Sequence, residues 1–429
     1  MVWSNWSGLV KCQPKRIERP TSEQDLVALV RSCVAKGGVL RPVGAGHSFT
    51  PLVQSDQVLV DLDNMSGLVH VDREGLRAQV RAGTNLKQLG QMLFEQGLAQ
   101  ENLGDIDVQS IAGAVSTGTH GTGPRFGVIA TQITSLTLVN GLGEVVSCSA
   151  EDKPDLFAAA RVSLGSLGII SEIGLKLTPA YKLKYISRRA LLSETLANLE
   201  GYAEGHRNFE FYWFPHTDRV QLKLIDKTQE PNSGLGLGKK LNDLLLENAA
   251  FWGLSQLCRW VPGTCKPVAK LCAAVVGQGS RVDQSHRIFA TRRMVRFQEM
   301  EYNLPRKHLE EVMRKVYALV ERRGYRVHFP LECRFVASDD IWLSPAHGRD
   351  SAYVAVHMLK GMPYDTYFRE LQEIFLAYDG RPHWGKWHDQ GPKFFAASYP
   401  RWHEFLALRE KMDPKRVFLN PYLKDLFGL

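Results

Sequence analysis

The sequence predicts an α+β fold, and three observations support this prediction. Residues 21–38 and 85–97 carry the apolar spacing, capping residues and glycine stops of two amphipathic helices. Residues 133–147 read as two strands joined by a glycine-containing turn, which predicts an antiparallel hairpin. Residues 209–214 and 220–225 are rich in aromatic and aliphatic side chains, which favours sheet strands.

The length and charge of the chain limit the classes of protein to which it can belong. A chain of 429 residues is expected to form roughly two domains. The net charge of +8 is modest, and Lys and Arg are dispersed, so no nucleic-acid partner is predicted. A bound anionic ligand and weak contact with an acidic membrane surface both explain the excess. The seven scattered cysteines and the lack of a secretory signal predict reduced thiols in a cytoplasmic protein.

The first 178 residues are predicted to form one unit. Its first helix begins at the capping box Thr21-Ser22-Glu23-Gln24 and ends at Gly37-Gly38. A second helix spans residues 85–96 and stops at Gly97. The predicted strands follow in this order: 39–43, 58–62, 68–72, 77–82, 133–139, 144–147, and a last strand that starts at Gly168 and ends at Thr178-Pro179.

The turn Gly44-Ala45-Gly46-His47-Ser48 is the first candidate for a binding site. It follows a strand directly, and free N–H groups in such a turn form a concavity that binds anions. His47 would lie beside the ligand as a base, a metal ligand or a covalent attachment point. The dinucleotide fingerprint is excluded, because Phe49 stands at the third glycine position and a strand follows where a helix is needed.

Three further stretches are candidate site material. Ser110 to Gly121 combines glycines, hydroxyls and small residues, which suits a loop around pyrophosphate and ribose, although a plain glycine-rich loop is the alternative. Glu332 and Arg334 follow a strand-like run at 325–329 and would share one face of a strand, either as a polar ligand site or as a cross-sheet ion pair. The third stretch, His383-Trp384-Gly385-Lys386, offers a lysine that can stabilise developing negative charge.

The most apolar part of the chain is residues 241–276. Arg259, Lys266 and Lys270 interrupt it, so no transmembrane span is predicted. A buried helical insert is the favoured interpretation, and a segment that lies on a membrane or docks a partner is the alternative.

No metal site is predicted. Cys258, Cys265 and Cys272 recur every seven residues, which does not match paired CxxC ligands, so they are interpreted as packing residues. The spacing of His383, His388 and His403 matches no ligand pattern either.

Together these motifs resemble the aldonolactone oxidoreductase branch of the vanillyl-alcohol-oxidase type of FAD enzymes, and the resemblance covers essentially the whole chain. It is closest to bacterial L-gulono-1,4-lactone dehydrogenases and D-arabinono-1,4-lactone oxidases. The matching stretches are Trp3 to Trp6, Arg41 to Thr50, Asn102 to Asp105, Ser110 to Gly123, Arg161 to Gly168, Arg381 to Lys386 and Phe418 to Asn420.

The resemblance implies three regions. Residues 1–178 would form an FAD-binding domain of two α+β subdomains. Residues 179–375 would form an α+β substrate-binding cap domain with a central antiparallel sheet and a helical insert at about 235–280. Residues 376–429 would return to the FAD domain and the active site.

The resemblance also implies roles for individual residues. FAD would be held either with or without a covalent bond to His47, and Glu332, Arg334 and Lys386 would contact the substrate together with Ser110. The catalytic residues would be Glu332, Arg334, Lys386 and His383. The cofactor-binding residues would be Val43, Gly44, Ala45, Gly46, His47, Ser48, Ser110, Gly113, Ser116, Gly118, Thr119, His120 and Ile170.

The implied activity is FAD-dependent oxidation of an aldono-1,4-lactone to ascorbate or an analogue, by hydride transfer to flavin N5. The substrate would be L-gulono-, L-galactono- or D-arabinono-1,4-lactone, and the electron acceptor O₂, cytochrome c or a quinone. An alditol oxidase acting on open-chain polyols is the alternative within the same fold. A flavin-free binding protein that keeps the fold is the alternative outside enzymes.

Overall fold

The computed structural model describes residues 2–233, 237–290 and 295–429, with residues 237–248 described by their backbone alone. Within these residues the strands are β1 (Trp3–Ser4), β2 (Lys11–Cys12), β3 (Arg16–Glu18), β4 (Leu40–Val43), β5 (Val58–Asp61), β6 (Leu68–Asp72), β7 (Arg77–Arg81), β8 (Leu98–Ala99), β9 (Ile133–Val139), β10 (Val145–Ser149), β11 (Ile169–Lys176), β12 (Thr178–Pro179), β13 (Lys182–Leu191), β14 (Asn208–Trp213), β15 (Arg219–Thr228), β16 (Gly279–Gln284), β17 (Phe297–Pro305), β18 (Leu331–Val336), β19 (Ser351–Leu359) and β20 (Arg381–Pro382).

The helices alternate irregularly with the strands. They are α1 (Glu23–Ala35), α2 (Leu86–Glu95), α3 (Ile111–Ser116), α4 (Pro154–Ala160), α5 (Leu192–Ala197), α6 (Leu199–Gly205), α7 (Leu237–Trp260), α8 (Cys265–Val275), α9 (Ser285–Phe289), α10 (Leu309–Arg323), α11 (Asp365–Leu376), α12 (Pro392–Ser398), α13 (Trp402–Met412) and α14 (Pro421–Phe427).

The N-terminal strands form two main sheets. β3, β5 and β4 make a parallel sheet of three strands, and β10-β9-β11-β7-β6 make an antiparallel sheet of five. The predicted hairpin is confirmed as β9 and β10, and both predicted helices are confirmed as α1 and α2. The capping box of α1 lies one residue later than predicted. Ser22 caps the N–H of Asp25, and the carboxylate of Asp25 accepts from Ser22 in return, so Asp25 replaces Gln24 in that role.

An antiparallel sheet of eight strands forms the centre of the second half, in the order β16-β13-β15-β14-β18-β19-β17-β20. Its central strands β14, β18 and β19 are buried on both faces. Side chains alternate between those faces, so Phe209 and Phe211 join an apolar core against α10 and α11, whereas Glu210 and Tyr212 point the other way. The sheet therefore buries one apolar face and one polar face.

Arg41 joins distant parts of the chain. It is 1% exposed and donates hydrogen bonds to the main-chain carbonyls of Leu52, Leu164, Gly165 and Phe418, at 2.9, 2.7, 2.8 and 2.5 Å respectively. Burial lowers the pKa of its guanidinium to about 9, and the group still keeps its charge at neutral pH. One buried cation thus bonds main-chain carbonyls from three separate stretches of the chain.

Two sequence predictions are wrong in detail. The strand-like run at 325–329 forms no strand, because Tyr325 to Pro330 is an irregular connection between α10 and β18. The stretch from Ser110 to Gly121, predicted as a loop, is not all loop, because α3 forms inside it, with the Ser110 hydroxyl accepting from the Gly113 N–H.

The apolar segment is helical, as predicted, and it consists of α7 and α8. The side chains of 241–248 lie outside the described residues. Of the described ones, Trp252, Trp260 and Val275 are exposed, whereas Cys258 and Cys265 are buried. The insert is therefore partly buried and partly exposed. Among the described helices, none is long and apolar enough to cross a membrane.

We predict that Arg41→Met destabilises the protein by about 3 kcal/mol or more, because four buried carbonyls lose a charged donor. The urea midpoint of unfolding measures this loss. The matched control is Arg73→Met, since Arg73 is exposed and bonds one exposed amide, and its effect should stay within about 0.5 kcal/mol. Equal midpoints for the two variants would contradict this role of Arg41.

Candidate active site

The glycine turn borders a cleft of about 940 Å³ that is open to solvent. We call it the glycine-loop cleft. Its walls come from β4 and the turn, from α3 with the residues before it, and from Leu164 to Ile170. The predicted cofactor residues that line it are Val43, Gly44, Ala45, Gly46, His47, Ser48, Ser110, Gly113, Ser116 and Ile170.

The backbone of this turn suits an anionic ligand. Across the described residues, the N–H groups of residues 45–48 have no hydrogen-bond acceptor. A Cβ on Gly44 would lie 2.4 Å from the Ser110 hydroxyl, so only glycine lets the turn approach α3 this closely. The lining charges are Arg41, which is committed to carbonyls, and Asp63. An anion in the cleft would thus be held by main-chain N–H groups.

The N-terminal segment fixes the turn from outside. The Trp6 N–H donates to the Gly46 carbonyl at 2.8 Å, and the Asn5 amide donates to the Ser48 carbonyl at 2.9 Å. The Trp6 ring stacks on His47 with 5.4 Å between ring centroids. Burial, reinforced by the nearby Lys386 ammonium, lowers the pKa of His47 to about 4. His47 is therefore neutral at pH 7, with a lone pair on its ring.

A second cavity borders the cleft, with a volume of about 1460 Å³ that includes the solvent-open space at its mouth. We call it the carboxylate cavity, after Asp105, Asp107, Glu299, Glu301 and Glu332 in its wall. It shares four lining residues with the glycine-loop cleft, so the two spaces are adjacent, and we refer to them together as the tract. The shared residues are His47, Ser48, Gln109 and Thr117.

The polar face of the eight-stranded sheet forms the floor of the carboxylate cavity. The register places Glu210 opposite Arg334, and Tyr212 opposite Glu332. Ala355 pairs with Glu332 on one side and with Glu301 on the other, so a methyl group separates two carboxylates. The pleat of the sheet therefore collects these ionisable groups on one surface.

Arg334 is the centre of the charged floor. Its Nε donates to Glu210 at 2.8 Å and its Nη2 contacts Glu332, while Asp105 lies 3.9 Å away. Burial alone would lower the pKa of Arg334, but Glu332 and Glu210 outweigh it and raise that pKa well above its ordinary value. Arg334 thus keeps its charge in a buried site, where it is ion-paired with Glu332 and Glu210 and lines the cavity.

Glu210 is held charged by a second cation. Lys223 contacts Glu210 at 2.8 Å and donates to the Tyr212 hydroxyl at 2.9 Å, and that hydroxyl donates to Glu332 at 2.5 Å. Burial would raise the pKa of Glu210, yet Lys223 and Arg334 lower it below its ordinary value. Each buried charge on this face therefore has an opposite charge beside it.

His383 and Lys386 reach the same cavity from the C-terminal segment. Phe49 and Thr50 bond the carbonyls of Gly385 and Trp384, at 2.6 and 2.8 Å, which ties this segment to the glycine turn. Lys386 Nζ lies 2.5 Å from Glu299 Oε2. His383 Nδ1 accepts from the Gly385 N–H at 3.0 Å, so the hydrogen of the neutral ring is on Nε2. Burial lowers the pKa of His383 to about 3, and the ring is neutral at pH 7.

His120 forms a buried pair with Glu301 and stacks on Tyr353 at 3.7 Å between ring centroids. Its Nε2 lies 3.2 Å from the Glu301 carboxylate and its Nδ1 lies 2.8 Å from the Gly121 carbonyl. Burial would raise the pKa of Glu301, but His120 outweighs it and lowers that pKa to about 2. His120, Glu301 and His383 lie close enough for a metal. Both ring nitrogens of His120 face acceptors, however, so the geometry describes a hydrogen-bonded pair.

The structure brings most of the sequence-predicted residues to one tract. Glu332, Arg334, Lys386, His383, His120 and Thr119 line the carboxylate cavity. Ser110 lines the glycine-loop cleft but not the carboxylate cavity, although it was predicted to contact the substrate as well as the cofactor. Gly118 lines neither space. The sequence predictions missed four residues of this region: Glu210, Tyr212, Glu299 and Glu301. The one signal that the sequence offers for them is an acidic or hydroxyl side chain inside an otherwise apolar strand.

Comparison with known proteins identifies the family to which the chain belongs. A family model described as D-arabinono-1,4-lactone oxidase matches residues 173–426. The chain belongs to this family. A second model, described as an FAD binding domain, matches residues 14–149, which include the glycine turn. The predicted resemblance and the predicted FAD cofactor are thereby confirmed.

Two relatives match along essentially the whole chain, and a third matches about half of it. The L-gulono-1,4-lactone dehydrogenase of Mycobacterium tuberculosis (strain ATCC 25618 / H37Rv) is 40% identical over 431 residues, covering 100% of this chain and 99% of the relative. The L-gulonolactone oxidase of Mus musculus is 32% identical over 443 residues, covering 99% and 98%. The D-arabinono-1,4-lactone oxidase of Kluyveromyces lactis is 37% identical over 234 residues, covering 54% and 45%.

Solved structures confirm the predicted α+β fold. A cholesterol oxidase from B. sterolicum superposes with a TM-score of 0.78 at 18% identity, covering 99% of this chain and 96% of that one. A solvent-stable cholesterol oxidase gives a TM-score of 0.79 at 21% identity, covering 100% and 97%. At this identity the likeness concerns the fold.

We predict that Gly44→Ala lowers the affinity for FAD by roughly tenfold or more, equivalent to about 1.4 kcal/mol. The added methyl group would collide with Ser110 and push the turn away from α3. The measurement is the ratio of flavin to protein after dialysis. Gly205→Ala is the matched control, because a Cβ there meets nothing within 4 Å. Full flavin content in Gly44→Ala would contradict the proposed contact.

Proposed function

We propose that this protein oxidises an aldono-1,4-lactone to ascorbate or an analogue, using FAD held in the glycine-loop cleft. Its substrate would be L-gulono-, L-galactono- or D-arabinono-1,4-lactone. The observation that supports this best is that the cleft adjoins a cavity whose floor presents Arg334 and Glu332 and whose side presents Lys386. The names of the family and of its relatives agree with this substrate class.

Bound FAD would supply the two-electron acceptor for a hydride from the substrate. The residues of the chain then bind and orient the lactone. Arg334 is fixed between Glu210 and Glu332, and it cannot lose its proton, so it would stabilise negative charge that develops on a substrate oxygen. Glu332 would accept hydrogen bonds from sugar hydroxyls. Because both side chains are locked by partners, the site is ordered before the substrate arrives.

Lys386 and His383 would act from the other side of the cavity. Lys386 is held by Glu299 and would place a positive charge beside FAD and substrate oxygen. His383 is neutral and carries its hydrogen on Nε2, so it would donate a hydrogen bond without acting as a proton source at pH 7. His120, paired with Glu301, would form part of the wall near these groups.

The division of the chain follows the same proposal. Residues 1–178 would bind FAD, residues 179–375 would form the cap over the substrate, and residues 376–429 would return to the FAD domain. This division is supported by the eight-stranded sheet, which begins at Lys182, and by the bonds from Phe49 and Thr50 to the C-terminal segment. Limited proteolysis that cuts first far from both boundaries would argue against it.

The electron acceptor is a further part of the proposal, with O₂, cytochrome c and a quinone as the candidates. Oxygen uptake measured beside the reduction of cytochrome c and of a soluble quinone assigns it. Peripheral contact with an acidic membrane is proposed for the exposed Trp252, Trp260 and Arg259 of the insert. Failure to sediment with vesicles rich in phosphatidylserine would reject that contact.

Steady-state turnover with L-gulono-1,4-lactone, compared with turnover of xylitol, tests the proposed substrate class. We expect a higher kcat/KM for the lactone, because a compact ring can lie over the flat cofactor with its oxygens held toward Arg334, whereas an open-chain polyol must first be ordered. The reverse order would favour an alditol oxidase of the same fold.

We predict that Lys386→Ala and Arg334→Ala each slow flavin reduction by roughly a hundredfold or more, because each loses a preorganised positive charge. FAD should remain bound. Anaerobic stopped-flow absorbance at saturating lactone measures the rate. Arg334→Lys should restore part of the rate at most, since lysine lacks the planar fork that bonds two carboxylates. The exposed Lys393→Ala is the control, and unchanged reduction in the Lys386 and Arg334 variants would reject their roles.

We predict a covalent bond between FAD and His47, because its neutral ring lies in both the cleft and the cavity. After acid precipitation the yellow colour should stay with the protein, and in His47→Leu it should move to the supernatant while FAD still binds in the native state. His70→Leu, at an exposed histidine, should behave as the unmodified protein. Release of FAD from the unmodified protein by acid would show non-covalent binding.

A further inference from the structure

A second cluster of ligating side chains lies where the helical insert packs on the cap. Cys258 lies in the last turn of α7, Cys265 begins α8, and His328 belongs to the irregular connection before β18. The sulfur atoms of both cysteines and one ring nitrogen of His328 lie within 4.8 Å of one another. All three residues are buried, with exposures of 0, 1 and 0%. None of them lines the glycine-loop cleft or the carboxylate cavity.

The separation of these atoms suits a tetrahedral metal. Zinc with Zn–S bonds of about 2.3 Å and a Zn–N bond of about 2.0 Å holds its ligand atoms about 3.5 to 3.8 Å apart. An ion would therefore need side-chain shifts of about 1 Å at most to be bonded by all three. Thiolate and imidazole ligands favour zinc, whereas Mg²⁺, Ca²⁺ and Mn²⁺ favour carboxylate and carbonyl oxygens.

His328 has a nitrogen available for a metal. Its Nε2 bonds the Ser255 hydroxyl at 3.0 Å, whereas its Nδ1 is buried and has no hydrogen-bond partner among the described residues. A buried ring nitrogen without a hydrogen-bond partner lowers the stability of the folded state, because its lost hydration is not replaced. A metal ion bound to Nδ1 would replace that lost interaction. Ser255 would then play the part of the outer partner that orients a metal-bound imidazole.

We propose that Cys258, Cys265 and His328 bind one Zn²⁺ ion through two thiolates and Nδ1. A water molecule or the nearby Thr264 hydroxyl, which lies 3.8 Å from the Cys258 sulfur, would complete the four ligands. Cys272 does not join them. It lies seven residues after Cys265 on the same helix, about 10.5 Å further along the axis, which is too far for one ion.

The expected role of this ion is to fasten the insert to the cap. Two ligands come from the last turn of α7 and the first residue of α8, and the third comes from the connection before β18. The metal would therefore bridge two segments that are also joined by the Ser255–His328 hydrogen bond and by apolar contacts. Neither the FAD cleft nor the lactone-binding face depends on it. The proposal is therefore independent of the proposed function.

The first test is the zinc content of the holoenzyme after growth with zinc and dialysis against metal-free buffer. We expect about one ion per chain, and less than about one tenth of that in the Cys258→Ser/Cys265→Ser and His328→Gln variants. Cys272→Ser is the matched control, a half-buried thiol on the same helix, and it should keep its zinc. A zinc content near zero in the unmodified protein, even after zinc is added back, would overturn the proposal.

The ligand variants could lose zinc simply by misfolding, so a second measurement uses the unmodified holoenzyme. Co²⁺ added after zinc removal by a chelator should give the visible ligand-field bands of a tetrahedral thiolate site, at longer wavelengths than flavin absorbs. Zn²⁺ should abolish these bands and raise Tm, because it binds the folded chain. Octahedral Co²⁺ spectra, or a Cys258–Cys265 disulfide found by mass spectrometry of the unreduced protein, would overturn the proposal.

Discussion

The fold depends on pairing the charges that the eight-stranded sheet buries. Arg334, Glu210, Glu332 and Lys223 lie on one face of the sheet, and each has an opposite charge within contact distance. Taking such groups out of water is costly unless every one of them is paired. A slip of one residue between β14 and β18 would turn these side chains into the apolar core and bring Phe209 and Phe211 to the cavity. The register is therefore set by electrostatics and by hydrophobic burial together.

That register also fixes where the two halves of the molecule meet. The polar face needs a cover, and the glycine turn with the C-terminal segment supplies it. Main-chain bonds from Phe49 to Gly385 and from Trp6 to Gly46 connect three distant stretches of sequence at His47. Because these contacts are made by backbone groups, side chains that line the cavity can be substituted without moving the turn.

The local features of the fold could be predicted from the sequence, whereas the pairings between distant strands could not. The helices, the hairpin and the turn at Gly44 follow from spacing and capping patterns. The capping box of α1 was predicted one residue too early, because Ser22 and Asp25 form it instead of Thr21 and Gln24. Glu332 and Arg334 were found because they share one strand. Glu210 was missed because its partner Arg334 lies 124 residues away, and only the register of the sheet shows that they meet. His328 was missed beside Cys258 for the same reason, since 70 positions separate two single ligands.

The bonds made by Arg41 have a consequence for the order in which the protein can fold as it is synthesised. Its partner Phe418 lies 377 residues downstream, and the amide of Asn420 bonds the carbonyls of Pro51 and Gln54. The first strands and the glycine turn therefore emerge from the ribosome long before the residues that complete their hydrogen bonds. Folding generally proceeds in the order of synthesis, but here the bonds of Arg41 must wait for Phe418. Until residues 418–420 have been synthesised, these bonds cannot form, and the glycine-loop cleft cannot reach its final form.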